Sequence, residues 1–312
     1  MIRCCERRYT VVQNLAGKEK GTGREKKMIH KIADNLRLPK AVLIDLDDTI
    51  TTFDLTSAPA WRESTEWFVK TYEPAFSVDG LIEKIQETKK WYWSDPDRHK
   101  RGRENLVLAR REVVMEALQR YAGERYFANP NWELVSKERE ETAPDVIVNE
   151  KYRAEERAGH AEEYAALYMK LHNERIRPMD GAVEALDVMK ESGLRLAVVT
   201  NGIADTQREK LERFGLTERF EHIFIDTEIG YSKPDPRIFE YALNKMQLRP
   251  EEVWMIGDNI RWDVGGPQAV GITGVWINSK QVVLPANYEI VPDLHCDSLL
   301  EVAEVIRKML PV

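Results

Sequence analysis

The chain has 312 residues, of which 43% are hydrophobic, and its formal net charge is −7. This length allows one large domain or two linked ones, and no segment is apolar enough for a membrane span, so we expect no membrane association. The negative charge argues against a nucleic-acid partner, and three cysteines without a disulfide-type spacing are typical of a reducing, cytoplasmic location.

Residues 1–38 differ in composition from the rest of the chain. They are rich in lysine and arginine and show no sustained helical or strand periodicity. The apolar stretch that a secretory signal needs is missing. We interpret this segment as a mobile N-terminal extension.

The first predicted strand, 41–46, is an apolar run that ends abruptly in acidic residues. Asp45 and Asp47 are two residues apart, so in extended backbone their side chains leave the same face. The two carboxylates repel each other unless a cation binds between them, which points to a magnesium-assisted site. The same residues would also fit an ordinary acidic turn, with Asp48 or Thr49 capping the next helix.

A long insertion of helical character follows. Residues 61–69, 78–90, 104–122 and 150–174 have helical spacing and few helix breakers, which predicts an α-helical domain. Its aromatic residues and the basic stretch within 95–103 could stack on or pair with an anionic substrate. We interpret most of them instead as the core and solvated rim of that domain. The residues concerned are Trp61, Trp67, Trp91, Trp93, Trp132, Arg98, His99, Lys100, Arg101 and Arg103.

A helix is predicted at 180–192, and the next predicted strand, 194–200, ends at Thr200. Asn201 and Gly202 tolerate unusual backbone angles, so consecutive N–H groups there could converge on an anion. The alternative is a plain strand-to-helix turn in which Thr200 or Asn201 is a cap.

Lys233 follows the predicted helix 205–214 and strand 222–226 and lies on a loop that Pro234 stiffens. Asp235 and Pro236 have the pattern of a helix start, for a helix at 235–246. The loop would present the Lys233 ammonium rigidly, although a lysine in a surface turn has the same local pattern.

The predicted strand 253–257 again ends in a small residue followed by a carboxylate, Asp258. Asp258 is placed to bind a hard divalent cation, and Asp263 follows about one and a half helical turns later. Capping by Asp258, with Asp263 on a solvated helix face, is the alternative. A helix at 261–269, a strand at 272–277 and a helix at 297–309 complete the predicted elements.

Together the four polar strand ends and loops resemble the motif set of the haloacid dehalogenase-like (HAD) superfamily of phosphohydrolases. The order is D-L-D-D-T, V-V-T-N-G, S-K-P-D-P and I-G-D-N-I-R-W-D, each at a predicted strand end or helix start. The resemblance implies an α/β fold: a Rossmann-like parallel sheet core of residues 39–55 and 178–312. Residues 56–177 would be an inserted α-helical cap of the first type.

The resemblance also implies a role for each motif residue in an Mg²⁺-dependent phosphatase. Asp45 would be the nucleophile that forms an aspartyl-phosphate, and Asp47 the general acid and base. Thr200, Lys233, Asn201 and Gly202 would bind the phosphoryl group. The metal ligands would be the carboxylates of Asp45 and Asp258 and the backbone carbonyl of Asp47, with Asp263, Asn259 and Thr49 supporting them.

The expected substrate is a small phosphorylated metabolite, a phosphate monoester. A phosphomutase on the same core is the alternative enzyme, because the residues of the cap decide whether the phosphoryl group returns to the substrate. A non-catalytic binding or regulatory module is a third possibility. The carboxylate at position 47 argues against a dehalogenase, in which ester hydrolysis needs no protonated leaving alcohol. The oligomeric state stays open.

Overall fold

The computed structural model describes residues 36–123, 144–285 and 287–311, without the side chains of 99–100, 103–104 and 144–154. The predicted extension 1–38 therefore lies outside the described residues as far as residue 35. The described residues form two compact units. One comprises the described residues within Met1–Phe53 and Arg177–Val312, and the other comprises those within Asp54–Ile176. None of the described helices is both long and apolar enough to cross a bilayer.

The unit Asp54–Ile176 is helical where it is described. Its helices are α1 (Asp54–Thr71), α2 (Val78–Ser94), α3 (Pro96–Glu104), α4 (Leu106–Ala122) and α5 (Pro144–Arg175). Helix α3 was not predicted, because its sequence is almost entirely polar. It forms because Asp95 caps it, accepting a hydrogen bond from the Arg98 N–H at 2.8 Å, and because Pro96 occupies its first position.

The aromatic residues of this unit mainly contact one another and nearby guanidinium groups. Trp61 is buried and stacks on Tyr168 with 3.6 Å between ring centroids. The Trp91 ring has the Arg98 guanidinium 3.8 Å from its centroid and that of Arg120 at 4.4 Å. These contacts favour the interpretation as core and rim. Trp132 and the side chains of residues 99, 100 and 103 lie outside the described part.

Among the described residues of the other unit, six parallel strands form one sheet in the order β3-β2-β1-β4-β5-β6. This confirms the predicted Rossmann-like α/β fold. The chain moves outward from β1 to β2 and β3, and then returns to place β4 on the other side of β1. The strands are β1 (Ala41–Ile44), β2 (Arg195–Thr200), β3 (His222–Ile225), β4 (Val253–Gly257), β5 (Thr273–Ile277) and β6 (Leu294–Cys296).

Strand β1 is apolar throughout because both faces of the sheet are covered. Its alternate residues pack into two separate hydrophobic clusters, Val42 and Ile44 into one and Ala41 and Leu43 into the other. Completely buried central strands of this kind leave polar groups only at their ends. The carboxyl ends of β1, β2 and β4 are therefore the places where a site can form.

The described α-helices of this unit lie in the connections between strands, except the last, which follows β6. They are α6 (Ala182–Glu191), α7 (Ala204–Arg213), α8 (Asp226–Ile229), α9 (Pro236–Met246), α10 (Gly266–Gln268) and α11 (Leu299–Met309). The predicted cap of α9 is confirmed, since Asp235 accepts a hydrogen bond from the Arg237 N–H at 3.0 Å.

Four details differ from the predicted elements. The four-residue helix α8 was not predicted. Strand β1 ends at Ile44 rather than at residue 46, and the chain turns a few residues later, where Asp48 has φ +59°. The predicted helix 261–269 is a π-helical turn, Ile260–Gly265, followed by the short α10. The three-residue strand β6 was missed because so short a run carries no clear alternation.

Candidate active site

The carboxyl ends of β1 and β4 bring two of the predicted carboxylates together. The Asp45 N–H donates to the Ile256 carbonyl at 2.9 Å, which continues the pairing of β1 with β4 by one residue. Asp258 follows directly after the last residue of β4. One carboxylate oxygen from each of Asp45, Asp258 and Asp263 lies within 4.8 Å of the others.

Lys233 is buried and bridges two of these carboxylates. Its Nζ donates to Asp45 Oδ1 at 2.5 Å and to Asp263 Oδ1 at 2.7 Å. Burial alone would lower the pKa of Lys233, but the two carboxylates raise it above its ordinary value, so the side chain keeps its charge. The lysine is thus the internal counter-charge of the cluster.

The other oxygen of Asp263 accepts a hydrogen bond from the Asn259 N–H at 3.0 Å. The Asn259 side chain in turn caps the π-helical turn by accepting from the N–H groups of Arg261 and Trp262. Gly257 makes room for this arrangement, because a Cβ there would lie 2.3 Å from Asp263 Cγ. Both oxygens of Asp263 are therefore engaged by the protein, which fits an orienting role.

The carboxylates carry more negative charge than their surroundings compensate. Burial raises the pKa of Asp45 well above its ordinary value, and Lys233 opposes this rise. Burial also raises the pKa of Asp258, to about 6, and the neighbouring charge of Asp263 adds to that rise. A divalent cation would offset both effects, and carboxylate oxygens are the ligands that Mg²⁺ prefers. The residues present therefore fit a magnesium site.

Thr200 and Asn201, at the end of β2, lie on the other side of β1 in the sheet. The Asn201 side chain fixes the lysine loop, since Nδ2 donates to the Lys233 carbonyl at 3.0 Å and Oδ1 accepts from the Lys233 N–H at 2.8 Å. The Gly202 N–H donates to Asp226 Oδ1 at 2.8 Å. A contact between this N–H and a substrate would require that hydrogen bond to open. The sequence had not indicated Asp226.

Asp47 is held by two residues that the sequence did not indicate, both on α7. Lys210 Nζ donates to both carboxylate oxygens of Asp47, at 2.7 and 2.9 Å, and Gln207 Nε2 donates to Oδ2 at 3.1 Å. Gln207 also donates to Thr200 Oγ1 at 2.8 Å. Polar residues three apart on a hydrophilic helix resemble a solvated face, and so no local signal separates these two from their neighbours.

Lys280, after β5, is a second cation that the sequence did not indicate. Its Nζ donates to Asp48 Oδ2 at 3.0 Å and to Asp258 Oδ2 at 3.2 Å. Asp48 also accepts from the Phe53 N–H at 2.8 Å, which tightens the turn after β1. Thr49 lies in the same turn and donates to Asp45 Oδ2 at 3.4 Å. The predicted supporting position of Thr49 is thus close to the carboxylate cluster.

The comparisons with known proteins agree with the motifs. A phosphoserine phosphatase from Thermus thermophilus is 32% identical over 273 residues, which cover 84% of this chain and 97% of that protein. A glyceraldehyde 3-phosphate phosphatase from Methanopyrus kandleri is 29% identical, with 86% and 98% covered. The fold is similar to that of the putative HAD-hydrolase YfnB from Bacillus subtilis bound to magnesium. For that structure the TM-score is 0.56, with 22% identity and 86% and 99% of the two chains covered.

The family match extends over most of the chain. The model of haloacid dehalogenase-like hydrolases matches residues 39–271, which include β1 and the candidate site residues at the ends of β2 and β4. The four sequence motifs, the Rossmann-like sheet and the two relatives lead to the same assignment. The chain is a member of the haloacid dehalogenase-like hydrolase family.

Proposed function

We propose that the protein is an Mg²⁺-dependent phosphatase that hydrolyses a small phosphate monoester through an aspartyl-phosphate. The observation that carries this proposal is the buried cluster around Lys233, in which one ammonium bridges Asp45 and Asp263 beside Asp258. Such a concentration of charge at strand ends is costly for stability alone, and phosphoryl transfer uses both kinds of charge.

In the first step, Asp45 attacks phosphorus and its oxygen forms the new P–O bond while the bond to the leaving alcohol breaks. The Lys233 ammonium, 2.5 Å from Asp45 Oδ1, lies where it can stabilise charge on the transferring oxygens. Thr200 and the Asn201 N–H bind the remaining phosphoryl oxygens. Lys233 also limits the repulsion between Asp45 and the incoming phosphate.

Asp47 transfers the proton in both steps. Its carboxyl group protonates the leaving oxygen, and its carboxylate then accepts a proton from the water that hydrolyses the aspartyl-phosphate. Mg²⁺, held by the Asp45 and Asp258 carboxylates and the Asp47 carbonyl, would supply charge neutralisation at the phosphoryl group. Asp263 keeps the ligand geometry, and Asn259 and Thr49 support it.

For the substrate we propose a small phosphorylated metabolite, of the class to which phosphoserine and triose phosphates belong. The support is the two relatives, one named a phosphoserine phosphatase and the other a glyceraldehyde 3-phosphate phosphatase. A screen of phosphorylated metabolites that measures released phosphate identifies the substrate. Assaying the same reactions for a phosphorylated isomer distinguishes hydrolysis from the phosphomutase reaction.

The experiment that tests the mechanism compares the wild type with Asp45→Asn in the presence of Mg²⁺. We expect turnover to fall by about 10⁴-fold or more, and labelled phosphate to remain on acid-quenched wild-type enzyme but not on the variant. Asp180→Asn is the matched control, because it makes the same chemical change at an exposed carboxylate that pairs with Arg177 at 2.9 Å. Undiminished turnover in Asp45→Asn would contradict the proposal.

A further inference from the structure

Helix α7 carries two buried polar side chains on one face, three residues apart. Gln207 is 2% exposed and Lys210 is 1% exposed, although the helix as a whole is strongly hydrophilic. Three hydrogen bonds account for the Lys210 ammonium: two to the oxygens of Asp47 and one, at 2.8 Å, to Gln207 Oε1. All three of its protons have acceptors.

The Gln207 amide connects this lysine to the end of β2. Its Nε2 donates to Asp47 Oδ2 at 3.1 Å and to Thr200 Oγ1 at 2.8 Å, while its Oε1 accepts from Lys210. The backbone leaves space for it, because a Cβ at Gly202 would lie 2.9 Å from Gln207 Cδ. The amide thereby links the Asp47 side chain, in the segment that follows β1, to Thr200 at the end of the neighbouring strand β2.

Burying an ammonium and an amide on a helix that could have placed them in water is unfavourable unless they have partners. Their partner is the carboxylate of Asp47, whose side chain is 24% exposed. The desolvated side of the pair is thus the lysine, and the accessible side is the carboxylate. This asymmetry is expected if the buried pair supports a group that must contact a bound molecule.

We propose that Lys210 and Gln207 are positioning residues that hold the Asp47 carboxyl group for proton transfer and fix its position relative to the Thr200 hydroxyl. The inference rests on the proposed function, in which Asp47 acts on the leaving oxygen. Neither residue touches the phosphoryl group in this role. Their effect on the reaction should therefore depend on how much the leaving group needs a proton.

The test uses two esters of similar shape, phenyl phosphate and 4-nitrophenyl phosphate, with Mg²⁺ and the full-length protein. Phenol is the poorer leaving group, so its departure depends more on a correctly placed acid. For Lys210→Met we expect kcat/KM to fall by about 10²-fold with phenyl phosphate and by less than about 10-fold with 4-nitrophenyl phosphate. For Gln207→Leu we also expect kcat/KM to fall more with phenyl phosphate than with 4-nitrophenyl phosphate. This substitution removes no charged group.

Two further variants separate positioning from a general structural role. Lys210→Arg, which keeps the charge and the donors, should restore part of the phenyl phosphate activity. Lys245→Met, on an exposed face of α9, should leave both activities unchanged. Equal losses with the two esters in both Lys210→Met and Gln207→Leu would overturn the inference. An Asp45→Asn variant that still hydrolyses the two esters would instead refute the proposed function.

Discussion

Replacing Lys233 by methionine tests whether the buried ammonium holds the carboxylate cluster together. The variant has nearly the same side-chain length but leaves Asp45 and Asp263 without their shared partner at 2.5 and 2.7 Å. Breaking a buried ion pair by removing one member costs about 3–5 kcal/mol. We expect Lys233→Met to lower the free energy of unfolding by that amount while both carboxylates are ionised.

The loss should become smaller as the pH falls. Burial raises the pKa of Asp45 in the folded protein, and Lys233 opposes that rise. Without the lysine, folded Asp45 takes up a proton at a higher pH than in the wild type, and the protonated acid no longer needs a counter-charge. The destabilisation is therefore complete at pH values above the pKa that folded Asp45 has in the variant, and it is progressively relieved below that pKa.

Urea unfolding at about pH 8 and about pH 5, followed by circular dichroism, measures both effects. Lys40→Met is the matched control, because Lys40 also pairs with a carboxylate, Glu252 at 2.7 Å, but is 67% exposed. Its effect should be much smaller, since exposed ion pairs contribute little. A loss in Lys233→Met no larger than that of the control, or one that grows as the pH falls, would refute this account of the cluster.

Three further predictions follow from the same site. Burial raises the pKa of Asp258 to about 6, with Lys280 opposing the rise and Asp263 and Asp48 adding to it, so Mg²⁺ affinity measured by calorimetry should fall by at least about tenfold per pH unit below that value; a flat profile would contradict this. Gly257→Ala places a Cβ 2.3 Å from Asp263 Cγ and should cost about 1–3 kcal/mol of stability in urea unfolding, whereas Gly159→Ala, with nothing within 4 Å, should gain about 0.5–1 kcal/mol. Asn201→Ala removes both hydrogen bonds to the lysine loop and should lower stability by about 1–3 kcal/mol together with kcat; unchanged values of both would show that the loop holds itself.

The sequence predicted the parts of the site that lie at strand ends. A buried strand has no polar residues until it ends, so Asp45, Thr200 and Asp258 stand out against apolar runs. Lys233 was also indicated, because a proline and a helix start follow it closely. These signals are local, and the order of the strands along the chain then places their carboxyl ends together.

The residues that were missed share the opposite property. Lys210 and Gln207 lie on α7, in which Leu211 is the one large apolar residue, so the two polar inward-facing positions do not differ in kind from the solvated ones. Lys280 lies in a loop after β5, where a lysine predicts no particular contact. Their contacts with Asp47, Asp48 and Asp258 depend on how helices and loops pack on the sheet, which no pattern of single residues specifies.

The two points at which the helical unit joins the sheet unit are adjacent. The Thr52 N–H donates to the Arg177 carbonyl at 2.8 Å, and the Arg177 N–H donates to Thr52 Oγ1 at 3.1 Å, although the two residues are 125 positions apart. A domain inserted between two residues of its host that already contact each other adds almost no loop-closure cost to that host. Its length and content can therefore change, by exchange or by redesign, without a change in the backbone path that carries Asp45.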